Sequence, residues 1–177
     1  MTSDETLVAQ ALAGEPGAFG TLVDRYYDEC WRFARRMVGD RTDAEDIVQE
    51  VFLRAHLALP RYVARDRFRA WLYRILANQC STTLEARRRR DTRFVAGLDD
   101  ESLQVGRRDA EPMDDELERA LALLDPAMRE AVLLKHGAGM EYSEMVELLG
   151  VAESALKMRV SRGCALLRER LKGANDA

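Results

Sequence analysis

No stretch of this 177-residue chain approaches the ~18 consecutive apolar residues that a membrane-spanning helix needs, so direct membrane insertion is not expected. The opening MTSDETLVAQALAGEP starts acidic and lacks a basic segment before an apolar one. It does not read as a secretory signal, and the cytoplasm is the expected compartment. Cysteine occurs only three times, at positions 30, 80 and 164, and never in CxxC spacing. That argues against a zinc site and against a disulfide scaffold. Cys30, Cys80 and Cys164 read as small, half-buried apolar residues, with a redox pair of Cys30 and Cys80 as the alternative. The two histidines, His56 and His136, stand in no Glu-x-x-His pattern, so Asp43, Glu45, Asp46, Glu50 and His56 lack the ligand set of a di-metal bundle. No metal, cofactor or catalytic residue is expected. Four prolines and little strand-like alternation point to an all-α chain.

What the chain has in quantity is segregated charge. The net charge of −4 hides eleven arginines against three acids from Arg54 to Arg93, then nine acids against two arginines from Leu98 to Glu118. From Ala155 to Lys172 six basic residues face one acid. Two basic stretches divided by an acidic one suggest two surfaces for phosphate rather than a uniformly solvated exterior.

Apolar periodicity predicts helices over about 4–13, 17–38, 42–56 and 67–90. Thr42-Asp43-Ala44-Glu45 fits a capping box. In the third helix Ile47, Val48, Val51, Phe52 and Ala55 form one stripe, leaving Asp46, Gln49, Glu50 and Leu53 outside. Residues 91–114 lose periodicity and gain acids, glycines and a proline, as a flexible linker does. Beyond it, helices are predicted over 117–124, from the Asp125 cap and Pro126 to about His136, over 142–149, and from Ser154 to Lys172. The fold class is therefore two small helical domains joined by an acidic flexible linker. The boundaries are 1–90, 91–114 and 115–177.

Two segments carry binding chemistry. Helix, glycine turn and basic helix make a helix-turn-helix at the C-terminal end. Leu156, Val160, Gly163, Leu167 and Leu171 share its buried face. Lys157, Met158, Arg159, Ser161 and Arg162 lie toward a major groove, where the cations meet phosphates or guanine edges. In RYVARDRFRAWLYRILANQ, arginines alternate with aromatics, which suits a melted strand: bases stack on rings while cations follow the backbone. Phe68 and Trp71 read as core, and Tyr62, Arg65, Arg74 and Asn78 as nucleic-acid contacts. An ordinary helix-turn-helix repressor with a sensing domain is the competing reading, but it gives no reason for an arginine- and aromatic-rich first domain.

The ordered set DETLVAQALAGEPGAFGTLVDRYYD, DAEDIVQEVFLRAH, FRAWLYRILANQ and LDPAMREAVLLKHGAGMEYSEMVELLGVAESALKMRVSRGCALLRERL resembles the extracytoplasmic-function (ECF) group of bacterial RNA polymerase sigma factors. The resemblance covers nearly the whole chain outside the linker. It implies a sigma region 2 that docks on the beta-prime clamp helices of core RNA polymerase and reads and melts the minus-10 element. It also implies a region 4 that reads the minus-35 element and touches the beta flap. Carried over, Asp46, Gln49, Glu50 and Leu53 resemble the polymerase-docking face. The Leu59–Phe68 loop, with Arg61, Tyr62, Arg65 and Arg67, resembles the loop that captures a flipped base. Tyr73, Arg74 and Asn78 resemble strand readers, and Lys157, Met158, Arg159, Ser161 and Arg162 the minus-35 readers. An anti-sigma protein is the further partner implied. Thr82, Ala155, Met158 and Cys164 depart from residues frequent in the group, so the resemblance does not specify the promoter sequence.

Overall fold

The computed structural model describes residues 2–63, 67–95 and 112–175, and side chains as far as 92 and from 116 to 172, outside that first gap. Among them, all regular structure is helical. Helix α1 (Asp4–Leu12) is capped by Ser3, whose hydroxyl accepts from the Thr6 amide at 3.2 Å, and it buries Leu7 and Val8. Helix α2 (Ala18–Val38) buries Leu22, Tyr26, Cys30, Phe33, Ala34 and Met37, a stripe at three- and four-residue steps. It ends where Gly39 turns left-handed at φ 75°, a conformation glycine adopts without the Cβ penalty.

Helix α3 (Arg41–Ala58) starts earlier than a Thr42 cap would set it, and the structure corrects the Thr42 capping box. Asp40 is the first extended residue after Gly39, and its carboxylate accepts from the Asp43 amide at 2.9 Å. The expected stripe is buried: Ile47, Val48, Val51, Phe52 and Ala55, joined by Ala44. A 3₁₀ turn (Leu59–Arg61) follows α3, and the next helix is α4 (Phe68–Val95). Helices α1 to α4 share one apolar core. The linker proper lies outside the described residues, although α4 runs five residues past the predicted domain boundary, to Val95.

The second domain comprises α5 (Pro112–Ala122), α6 (Pro126–Val132), α7 (Tyr142–Leu149) and α8 (Glu153–Asn175). Asp125 caps α6 by accepting from the Ala127 amide at 2.9 Å. The predicted run to His136 is not one regular helix, because after Val132 the chain widens into a single π turn, Leu133–Gly137. Glu144 closes a capping box at the start of α7, accepting from the Glu141 amide at 2.8 Å. Gly150, at φ 65°, makes the turn between α7 and α8. Leu156, Val160, Gly163 and Leu167 are buried on α8 against α6. A Cβ on Gly163 would stand 2.6 Å from Val132 Cγ2, so this crossing requires glycine.

The two domains also pack on each other. The buried Arg129 guanidinium donates to Leu121, Ala122 and Leu124 carbonyls in its own domain and, at 2.6 Å, to the Met37 carbonyl at the end of α2. From within the first domain, Arg87 donates to the neighbouring Val38 carbonyl at 2.8 Å. Two arginines thus satisfy the last carbonyls of α2. Arg35 and Glu118 form a mostly buried ion pair across the interface at 2.8 Å.

Candidate nucleic-acid and docking interfaces

The outer face of α3 presents Asp46, Gln49 and Leu53 to solvent, with Glu50 half-buried at the margin. Glu50 accepts from Arg54 Nε at 2.5 Å, one turn along. Leu53 is 54% exposed and Leu57, on the same face, 70%. Two uncovered leucines beside Asp46 and Gln49 make a mixed acidic and apolar ridge, the composition of a protein contact rather than of a solvated surface. Leu57 was not among the expected docking residues. Its signal in the sequence is its four-residue step from Leu53.

The arginine-rich segment divides sharply. Arg61, Arg67, Arg74 and Asn78 are exposed. Tyr62 is half-buried, its ring 5.0 Å from Trp71 and 5.9 Å from Phe68, and its hydroxyl donates to Glu5 at 2.5 Å. Phe68 is buried and Trp71 half-buried, as expected of core residues. Tyr73 is not on this surface: it is 1% exposed, edge-on to Phe33 at 5.5 Å, with its hydroxyl 3.4 Å from Glu29. Burial, then the neighbouring Cys30 and Glu29, push its phenol above the ordinary range. A ring so enclosed cannot stack on a base, so the expectation that Tyr73 reads the strand is replaced by a core role. Arg65 lies outside the described residues. The exposed arginines border a cleft of about 410 Å³ with Tyr62, Ala70 and Trp71 on one wall and Glu144, Glu147 and Leu148 of α7 on the other.

On α8, Lys157, Met158, Ser161 and Arg162 are exposed together, and Met158 is 48% exposed. Lys157 pairs with Glu153 at 2.6 Å, and its ammonium lies 5.5 Å from the Tyr142 ring centre. Lys135 approaches the same ring at 4.9 Å. Arg159 is half-buried and faces back toward Glu130 on α6, so the structure sets it apart from the other four. Burial pushes the Glu130 carboxyl up to about 7, and Arg159 pulls it part of the way back.

Among the described residues no three His, Cys, Asp or Glu side chains are grouped to hold a metal, and no helix is long and apolar enough to cross a membrane. His56 instead packs on Phe19, ring centres 4.8 Å apart. Cys30 and Cys80 are free and fully buried, more enclosed than the sequence suggests. Burial, then Glu29, push the Cys30 thiol up to about 12, and burial raises Cys80 as well. Neither thiol has the thiolate character that exchange chemistry needs.

A helical first domain with an outward mixed ridge and an arginine-lined cleft is followed by a helix-turn-helix with an exposed basic face, and the family matches assign this arrangement to the transcription initiation factors of the sigma-70 type. Residues 22–90 match the Sigma-70 region 2 family and residues 114–167 the Sigma-70 region 4 family. The RNA polymerase sigma factor CnrH of Cupriavidus metallidurans is 35% identical over 176 residues, spanning 93% of this chain and 92% of that one. The ECF RNA polymerase sigma factor SigW of Bacillus subtilis is 27% identical, spanning 93% and 95%. The structure of CnrH in complex with the cytosolic domain of CnrY superposes with a TM-score of 0.72 at 31% identity, covering 97% of this chain and 99% of that one. The sigma factor RpoE in complex with the anti-sigma factor NepR, from Bartonella quintana, gives 0.73 at 26% identity, covering 88% and 98%. The chain belongs to the extracytoplasmic-function group of RNA polymerase sigma factors. It acts in promoter-specific transcription initiation.

Proposed function

We propose that residues 1–90 dock on the beta-prime clamp helices through Asp46, Gln49, Glu50 and Leu53, with Leu57 extending that face. The same domain holds the melted minus-10 strand along Arg61, Arg67, Arg74 and Asn78, with Arg65 as a further strand contact. The single observation that supports this reading most strongly is the cleft, where exposed cations rim a wall of half-buried aromatic rings. Residues 115–177 place Lys157, Met158, Ser161 and Arg162 on minus-35 duplex. Arg159 steadies the helix from behind, and the beta flap meets the same domain. The protein works by binding rather than by making or breaking bonds, on polymerase in the cytoplasm. An anti-sigma protein is its expected further partner, as the anti-sigma factor NepR is the partner of RpoE in their complex.

Opening a duplex requires that the open form be bound better than the closed one. A base taken out of the stack and laid on Tyr62 or Trp71 supplies roughly 1–3 kcal/mol that closed DNA does not receive. Joining the two DNA-binding heads in one chain raises the effective concentration of the second once the first is bound. The direct experiment is in vitro transcription by core polymerase on a library of genomic fragments, with and without this protein. Start sites are expected that appear only on its addition; an unchanged set of start sites would reject the reading.

A further inference from the structure

The first turn of α1 carries two adjacent carboxylates with different partners. Asp4 accepts from Arg25 and from the Tyr26 hydroxyl, both on α2, and with Leu7 and Val8 buried it fastens α1 to the domain. Glu5 reaches instead across 57 positions of sequence, where its Oε1 accepts from the Tyr62 hydroxyl at 2.5 Å. The second Glu5 oxygen, Oε2, is buried and has no hydrogen-bond partner among the described residues. An enclosed carboxylate oxygen without a donor costs stability. Glu5 is therefore a poor stabiliser of the core, and its one directed contact is the bond to Tyr62. That side chain is fixed at three places. Its amide donates to the Leu59 carbonyl at 3.0 Å, its ring packs on Phe68 and Trp71, and its hydroxyl ends on Glu5. Arg61 and Val63, on either side of it, are exposed, so Tyr62 is tied back to α1 from a segment that otherwise faces solvent.

We infer that Glu5 is a positioning residue for minus-10 recognition: through the Tyr62 hydroxyl it holds that ring beside Trp71 in the orientation that receives an unstacked base. The inference rests on the reading of Tyr62 as a stacking surface for the melted strand. A tyrosine side chain turns about two bonds, and a hydrogen bond at the far end of the ring restrains both. A ring ordered before the base arrives loses less freedom when the base stacks, so more of the stacking energy appears as affinity for the open strand. Glu5 also lies ahead of residues 22–90, the segment that matches the region 2 family. Helix α1 thus brings to the strand-holding domain a contact from outside that segment.

The test uses core polymerase reconstituted with the full chain and a promoter fragment, taken from a start site that depends on this protein, with its minus-10 element left unpaired. Glu5→Ala and Tyr62→Phe each remove one end of the hydrogen bond and keep the ring. Each is expected to weaken binding of the unpaired template by about three- to tenfold. The double variant should lose no more than the worse single one, because both changes break the same contact. Glu5→Gln keeps an acceptor oxygen and should bind within about twofold of wild type. The melting temperature of Glu5→Ala is expected to stay at the wild-type value or rise, since the unpartnered oxygen goes with it, and a purely structural role would not combine weaker strand binding with undiminished stability. Additive losses in the double variant, or a Glu5→Ala loss matched by a fall in melting temperature, overturn the inference. Tyr62→Ala separates it from the reading beneath it. Wild-type strand binding by Tyr62→Ala rejects Tyr62 as a base contact and the inference with it, whereas a loss in Tyr62→Ala with none in Glu5→Ala overturns the inference alone.

Discussion

Asn78 is exposed on α4, one turn beyond Arg74, and its amide can donate and accept at a base edge. Asn78→Ala is expected to slow open-complex formation on a duplex promoter by about tenfold, a loss of one good polar contact, with partial rescue on a template already unpaired at the minus-10 element. Equal losses on both templates would remove melting from its role and leave only reading. Glu130 poses a different question. Its carboxyl titrates near 7 because it is buried, with Arg159 and the Cys80 thiol as its charged or titratable neighbours. A carboxyl raised in the folded state favours folding while protonated, and that contribution is lost as pH climbs from about 4.5 through about 7. Glu130→Gln should therefore melt close to wild type in acid and a few degrees higher than wild type in mild alkali. Thermal scans across that range check it; a constant difference would remove the titration.

Among the elements, α8 packs on α6 so closely that its glycine decides the crossing. Gly163→Ala should destabilise by about 1–3 kcal/mol, because the new methyl meets Val132 at a distance real Cβ atoms do not tolerate. Gly20→Ala on α2 has nothing within 4 Å and should gain about 0.5–1 kcal/mol of helix propensity. Denaturant melts of the pair separate packing from propensity. These elements also show what the sequence makes legible. The α7 bounds, the α3 stripe and the Asp125 cap all follow from local periodicity and capping, which short-range sterics and hydrogen bonds enforce. Tyr73 escaped because Leu72, Leu76 and Cys80 make a face wide enough to take in position 73, and only Phe33 and Glu29, some forty residues away, decide which side it joins. Thr42 and Asp40 were both competent caps, and the left-handed Gly39 selected the nearer. The reach of Arg129 to Met37 leaves no local trace at all.

Across the whole molecule, recognition is distributed over separate surfaces that can be disabled independently. Charge reversal at Asp46 and Glu50 should abolish co-purification with core polymerase while shifting the melting temperature by only a few degrees, since both lie at the surface of α3. Retained co-purification would move the docking face elsewhere. Arg162→Ala should weaken minus-35-dependent binding by about 1–3 kcal/mol if its contact is bidentate to guanine, and a footprint will show whether protection is lost there alone. The cysteines offer a reporter of a different kind. Cys30 and Cys80 are sealed in the first domain, and Cys164 sits half-covered in the second. Alkylation in native buffer will therefore proceed on two clocks. Modification of Cys30 and Cys80 will wait for the first helical core to breathe, whereas Cys164 follows excursions of α8, so a single mass spectrum taken over time records the internal motion of each half of the chain without any label being introduced.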